Sequence, residues 1–149
     1  MMKIKLIASE ENYEKLAQEL SSMGVELSDS ADLVLTEQNV VISHLIGKKG
    51  DEIYRINVSD ISHIESFAHD VIAYTDKDSF KISERLKTLT TILDPSSFIR
   101  ISNSVIISVD HIKSIKPAFT QKFIVTMKNG ARVDVTRSYY YIFKEFIGI

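Results

Sequence analysis

From residue 40 to the C-terminus, apolar residues recur at every second position in short runs, and each run stops at turn-forming residues. Successive side chains of a strand point to opposite faces, so this period suits half-buried strands and leaves little room for helices. The pattern predicts strands over 40–46, 52–58, 61–67, 71–75, 79–82, 98–101, 105–108, 112–116, 123–127 and 132–136. Between them stand Gly47-Lys48-Lys49-Gly50, Ser59-Asp60, Asp76-Lys77-Asp78 and Asn129-Gly130, all of them turn chemistry. Asn129-Gly130 is the strongest hairpin signal, because both residues accept positive φ. Many short strands at this spacing predict an antiparallel β domain over residues 40–149.

Three segments depart from that period. Residues 84–93 carry Leu86, Leu89 and Leu93 at helical spacing with Pro95 just beyond, and 138–147 forms an aromatic-rich helix or turn. Residues 1–39 read as a small β-α-β segment. Lys3 to Ile7 alternates as a strand. Ser9 is placed to cap a helix with Glu10 and Glu11 in its first turn, where acids complement the helix dipole. Tyr13, Leu16, Leu20 and Met23 mark its apolar face and Gly24 its end; 25–31 is a polar loop and 32–36 a second strand. The segment is too small for a core of its own, so it either dimerises or caps the β domain. The fold class expected is mainly β, α+β overall.

Composition narrows the function classes. The chain of 149 residues is 44 % hydrophobic and 26 % charged, enough to bury a core without covalent staples. It has no cysteine, which excludes a disulfide framework, a thiolate metal site and a cysteine nucleophile. No signal-peptide pattern opens the chain, and no apolar run approaches the roughly 18 residues of a membrane span, so a cytoplasmic protein is expected. The formal net charge of −2 is uneven. Residues 96–149 hold eight Lys and Arg against three Asp and Glu, a local +5 that a polyanion could use.

No enzyme motif is present: no Gly-x-Ser-x-Gly elbow, no phosphate-cradling glycine loop and no His-Glu-x-x-His. The four histidines, His44, His63, His69 and His111, lack metal-ligand spacing, and the neighbouring pairs His69-Asp70 and Asp110-His111 point to opposite faces of a strand. Catalysis, a bound metal, a cofactor and a small-molecule substrate are therefore not expected. Gly47-Lys48-Lys49-Gly50 resembles the backbone clamp of KH domains, but that clamp joins helices. Here both flanks read as strands, so the four residues are read as a hairpin turn.

What remains is a set of polar residues at strand ends. His69, Asn103 and Arg137 each stand beside an alternating apolar run. Asn and Arg pair bidentately with adenine and guanine. Ser104 and Ser138, next to two of them, suit phosphate oxygens. A turn-forming Asn103 and a merely solvated His69 are the plainer readings of the same residues.

Three stretches, 50–75, 98–115 and 129–140, resemble in order and spacing the LytTR DNA-binding domain of bacterial transcription regulators. The matching residues are Asp60-Ile61 with Ile64-Glu65-Ser66, the helix at 84–93, the set Phe98, Arg100, Asn103 and Ser104, and Asn129-Gly130 followed by Arg137. The resemblance covers about residues 42–147. It implies an elongated assembly of antiparallel sheets whose loops enter DNA grooves. His69 and Arg137 would then contact bases in successive major grooves, and Asn103 in the minor groove between them. It further implies direct repeats about one or two helical turns apart and two protomers on one duplex. Two departures are visible. Ser102 stands where many members carry His. The β-α-β segment replaces a full receiver and its second strand ends in Glu37 instead of a phosphoacceptor Asp, so the chain resembles stand-alone regulators of this family. Double-stranded DNA, a second copy of the chain and a regulatory membrane protein are the partners implied. The competing reading is a protein-interaction module that keeps the fold without binding DNA, favoured by the net charge of −2 and by Ser102.

Overall fold

The structure is a computed structural model that describes residues 1–37 and 41–149. The expected boundary at 39/40 and the first residue of the strand expected at 40–46 lie outside the described residues. The chain divides into two compact units, Met1–Ile42 and Ser43–Ile149.

The first unit holds β1 (Lys3–Ile7), α1 (Glu10–Ser22), β2 (Glu26–Leu27) and β3 (Leu33–Thr36). Its strands form a parallel sheet in the order β2-β1-β3, with Leu6 and Ile7 buried. The stretch 25–31, expected as a loop, contains β2, whose Glu26 and Leu27 pair with Lys3 and Ile4. Two residues are too few to show a period, so only the pairing reveals them. Ser9 occupies the N-cap position of α1, but its side chain makes no cap bond to the helix. Instead the Ser9 N–H (2.9 Å) and Oγ (3.2 Å) donate to Glu37 Oε2, and Asn12 Nδ2 donates to Oε1 at 2.8 Å. These bonds, the Ser9 backbone N–H first, hold the Glu37 carboxyl below its usual range.

The second unit carries ten strands and two α-helices, beginning with β4 (His44–Lys49), β5 (Glu52–Asn57), β6 (His63–Phe67), β7 (Asp70–Tyr74) and β8 (Ser79–Ile82). They are followed by α2 (Leu86–Ile92), β9 (Phe98–Arg100), β10 (Val105–Ser108), β11 (Ile112–Ala118), β12 (Lys122–Met127), β13 (Arg132–Val135) and α3 (Tyr140–Ile147). A seven-stranded sheet runs β5-β4-β8-β7-β6-β10-β9, and a three-stranded sheet runs β11-β12-β13. Every pairing in this unit is antiparallel.

Two expected turns are built differently. Gly47, Lys48 and Lys49 belong to β4, and the turn is Gly50-Asp51 alone. Gly47 serves close packing: a Cβ there would stand 2.6 Å from Ile56 Cδ1 and 2.8 Å from Phe80 Cβ. In the β12–β13 hairpin only Gly130 has positive φ, at 92°. Asn129 works through its side chain, accepting from Ala131 N at 3.0 Å and donating to Thr75 O at 3.1 Å.

Alternation places Ile99, Ile101, Val105 and Ile107 of the β9–β10 region in one core with Phe123, Val125, Met127, Val133 and Val135 of the small sheet. Phe143 of α3 completes this cluster. The core therefore ties the end of the large sheet to the small one, and the loops at that seam are fixed with it.

Candidate nucleic-acid interface

The break at Ser102-Asn103-Ser104 is the connection between β9 and β10, and its backbone is held from several sides. Arg100 donates from Nε to Ser102 O (3.1 Å) and from Nη2 to Asn103 O (2.5 Å). Ser104 N donates to the buried Ser102 Oγ at 3.2 Å, and Ser104 O accepts from Ser66 N at 2.8 Å. The Ser102 hydroxyl thus braces the loop from inside. Asn103 and Ser104 are exposed at its tip. Tyr139 OH donates to Asn103 Oδ1 at 3.1 Å, which orients the amide and leaves Nδ2 as an outward donor.

Thr136 N donates to Ile101 O at 3.0 Å, so the chain leaving β13 passes beside this loop. Arg137 and Ser138 follow in a 3-10 turn over Arg137–Tyr139, both exposed. The result is an open groove of about 650 Å³ whose walls include Asn103, Ser104, Arg132, Arg137, Ser138 and Glu65. Four of the five residues singled out in the sequence therefore meet in one place. Tyr139 and Arg132 belong to the same constellation without having been singled out, and Arg100, named only as part of the family pattern, braces it. A separate hollow of about 410 Å³ beside Tyr54 and Phe80 has a mixed lining, with Asp60, Asp76 and Asp78 against Arg55 and Lys77.

His69 is not in that groove. It sits exposed at the tip of the two-residue β6–β7 hairpin, closed by the Phe67–Asp70 pair. Ala68 and His69 have φ of 49° and 73°, the left-handed region that side chains disfavour. The sequence shows no Gly or Asn there to announce the turn. The left-handed conformation costs a non-glycine residue about 1–2 kcal/mol, more than the roughly 0.5–1 kcal/mol of entropy a glycine forfeits on folding. His69→Gly is expected to raise stability by roughly 0.5 kcal/mol in urea denaturation. A less stable variant would refute this account of the turn.

The other histidines are engaged in the fold. His44 Nδ1 lies 3.3 Å from Arg55 Nη2, and His111 Nε2 lies 2.8 Å from Ser59 O. His63 is buried, stacked on Tyr74 with ring centroids 4.5 Å apart. Among the described residues no three His, Asp or Glu side chains gather as a metal site, and no helix is long and apolar enough to cross a membrane.

The second unit is a β-built domain that offers polar and basic side chains from strand-end loops on a double-sheet core. Residues 51–148 match the family model of the LytTr DNA-binding domain. The chain is 31 % identical over 113 residues to the sensory transduction protein LytT of Bacillus subtilis, covering 72 % of this chain and 46 % of LytT. It is 30 % identical over 99 residues to the transcriptional regulatory protein LytR of Staphylococcus aureus, covering 66 % and 40 %. A solved LytTr DNA-binding domain from Bacillus cereus superposes with a TM-score of 0.70 at 28 % identity, over 72 % of this chain and 99 % of that one. The chain belongs to the LytTR DNA-binding domain family. Its fold is the LytTR fold behind a parallel β-α-β unit, mostly β, with three α-helices among the described residues: α1 in the first unit, α2 and α3 in the second. It spans less than half the length of these two curated relatives.

Proposed function

We propose that this chain is a sequence-specific, non-enzymatic regulator of transcription that reads double-stranded DNA with its strand-end loops. The observation that supports this reading most is the convergence of Asn103, Ser104, Arg137 and Ser138 on one groove in a domain of a DNA-binding family. Arg137 reads a base in the major groove, and Asn103, with Nδ2 free to donate, meets the acceptors that A·T pairs present in the minor groove. Ser104 and Ser138 bond phosphates. His69, on its own hairpin, reaches a further groove. Two chains bind a duplex carrying two direct half-sites. The 1–39 segment either pairs copies of the chain, through its helix face or its edge strand β3, where Leu33 and Leu35 are 54 % and 43 % exposed, or caps the β domain. A membrane protein is a candidate controller.

The test is fluorescence anisotropy on duplexes selected from a random pool, at two salt concentrations. A repeated short motif, two chains per duplex and a steep salt dependence are expected. Weak, sequence-blind binding would instead favour the protein-interaction module. Arg137→Ala is expected to cost about 1–3 kcal/mol on the selected site and to relax preference at one base pair. An unchanged base preference in that variant would remove the base-reading role.

A further inference from the structure

Arg132 lines the same groove as the loop at 102–104 and the turn residues Arg137 and Ser138. It opens β13, opposite Thr126, and its neighbour Val133 is buried in the core. Alternation therefore turns Arg132 to the outer face together with Asp134 and Thr136. Its side chain is exposed, and among the described residues it forms no hydrogen bond or ion pair. Two carboxylates line the same groove. Asp134 is taken by Lys122, whose Nζ lies 3.0 Å from Oδ2. Glu65, on β6, forms the other carboxylate wall. Arg132 thus keeps an uncompensated guanidinium between two loops assigned to DNA, on a strand that cannot shift because Val133 and Val135 are locked in the core.

We propose that Arg132 is a phosphate clamp: its guanidinium grips a backbone phosphate between the base contacts of Asn103 and Arg137 and sets their register on the duplex. A planar fork of donors suits phosphate oxygens and carries no base information by itself. The proposal rests on the DNA-reading function above.

The experiment compares the full chain with Arg132→Gln and Arg132→Lys on the selected duplex and on base-substituted duplexes, across a salt series, with a melting curve for each. Arg132→Gln is expected to weaken binding roughly tenfold at low salt. The loss should be equal on every duplex, the salt slope should fall by about 1, and the melting temperature should stay unchanged. Arg132→Lys should restore most of the slope, because the charge returns. Wild-type slope and affinity in Arg132→Gln would overturn the clamp. So would a loss confined to one base substitution, which would make Arg132 a reader, or a lower melting temperature with an unchanged slope, which would make it a partner of Glu65. If the wild-type chain binds no duplex selectively, the DNA-reading function itself fails, and the clamp falls with it.

Discussion

Phe143→Ala is expected to destabilise the β domain by about 3–5 kcal/mol. Phe143 is the one fully buried residue of α3 and is 0 % exposed. Its ring meets Phe123 at 5.6 Å between centroids, and Tyr140, one turn earlier in α3, stacks on the same Phe123 at 4.7 Å. Truncation removes the transfer energy of an aromatic ring and leaves a cavity. Strands β12 and β13 cannot collapse into that cavity without breaking their own ladder. A domain of this size has about 5–15 kcal/mol in all, so the variant should sit close to its unfolding threshold. Urea denaturation followed by circular dichroism checks it, with the midpoint falling and the slope unchanged. A loss below about 1 kcal/mol would mean that α3 contributes little to the core. On the proposed DNA-reading function the variant also bears on binding, because Tyr139, which orients Asn103, immediately precedes α3.

Acid should destabilise the same domain in a window set by His63. Burial pushes the His63 imidazole down to about 4 from its ordinary 6.5, and its ring is 4 % exposed between Tyr74 and Ser62 Oγ. The native state thus keeps His63 neutral where the unfolded chain would protonate it. The unfolded state binds more protons between these two values, so stability falls as pH drops from 6.5 to 4 and this contribution levels off below. The full loss is about 3 kcal/mol. The depressed carboxyls of Glu37, in the first unit, and Asp94 begin to lose their contributions only as pH falls below their ordinary values of 4.5 and 3.8, at the acid end of this window and beyond. His63→Phe keeps a ring against Tyr74 and removes the titration. Urea midpoints of the wild type should therefore fall between pH 6.5 and 4, and those of His63→Phe should stay nearly level. Parallel curves for the two proteins would show that His63 does not carry the acid response.

The alternating strands were legible because period two is local: a residue and its second neighbour suffice to show which face is buried. Ten strands over residues 40–149, the short helix at 86–92 and the aromatic C-terminal helix follow from that pattern within a few residues. Turn residues were legible less often, because glycine answers to two different needs. Gly47 is required by the close approach of Ile56 and Phe80 across the sheet, a contact the linear sequence cannot show. Ala68-His69 makes a tight turn with neither Gly nor Asn. The pairing of β2 was invisible because a two-residue strand has no period.

Among the candidate contacts, residue type and position at a strand end were enough to single out Asn103, Ser104, Arg137, Ser138 and His69. The sequence by itself determined the β class of the domain, its alternating core positions and the polar breaks between strands, since these depend on neighbours along the chain. Tertiary structure alone decided that Asn103 and Arg137, 34 positions apart, share a groove while His69 does not. It also decided that Tyr139 orients Asn103 and that Arg132 joins them. Those relations arise where the edge of one sheet packs on another, and packing depends on which side chains fill the shared core, not on spacing along the chain.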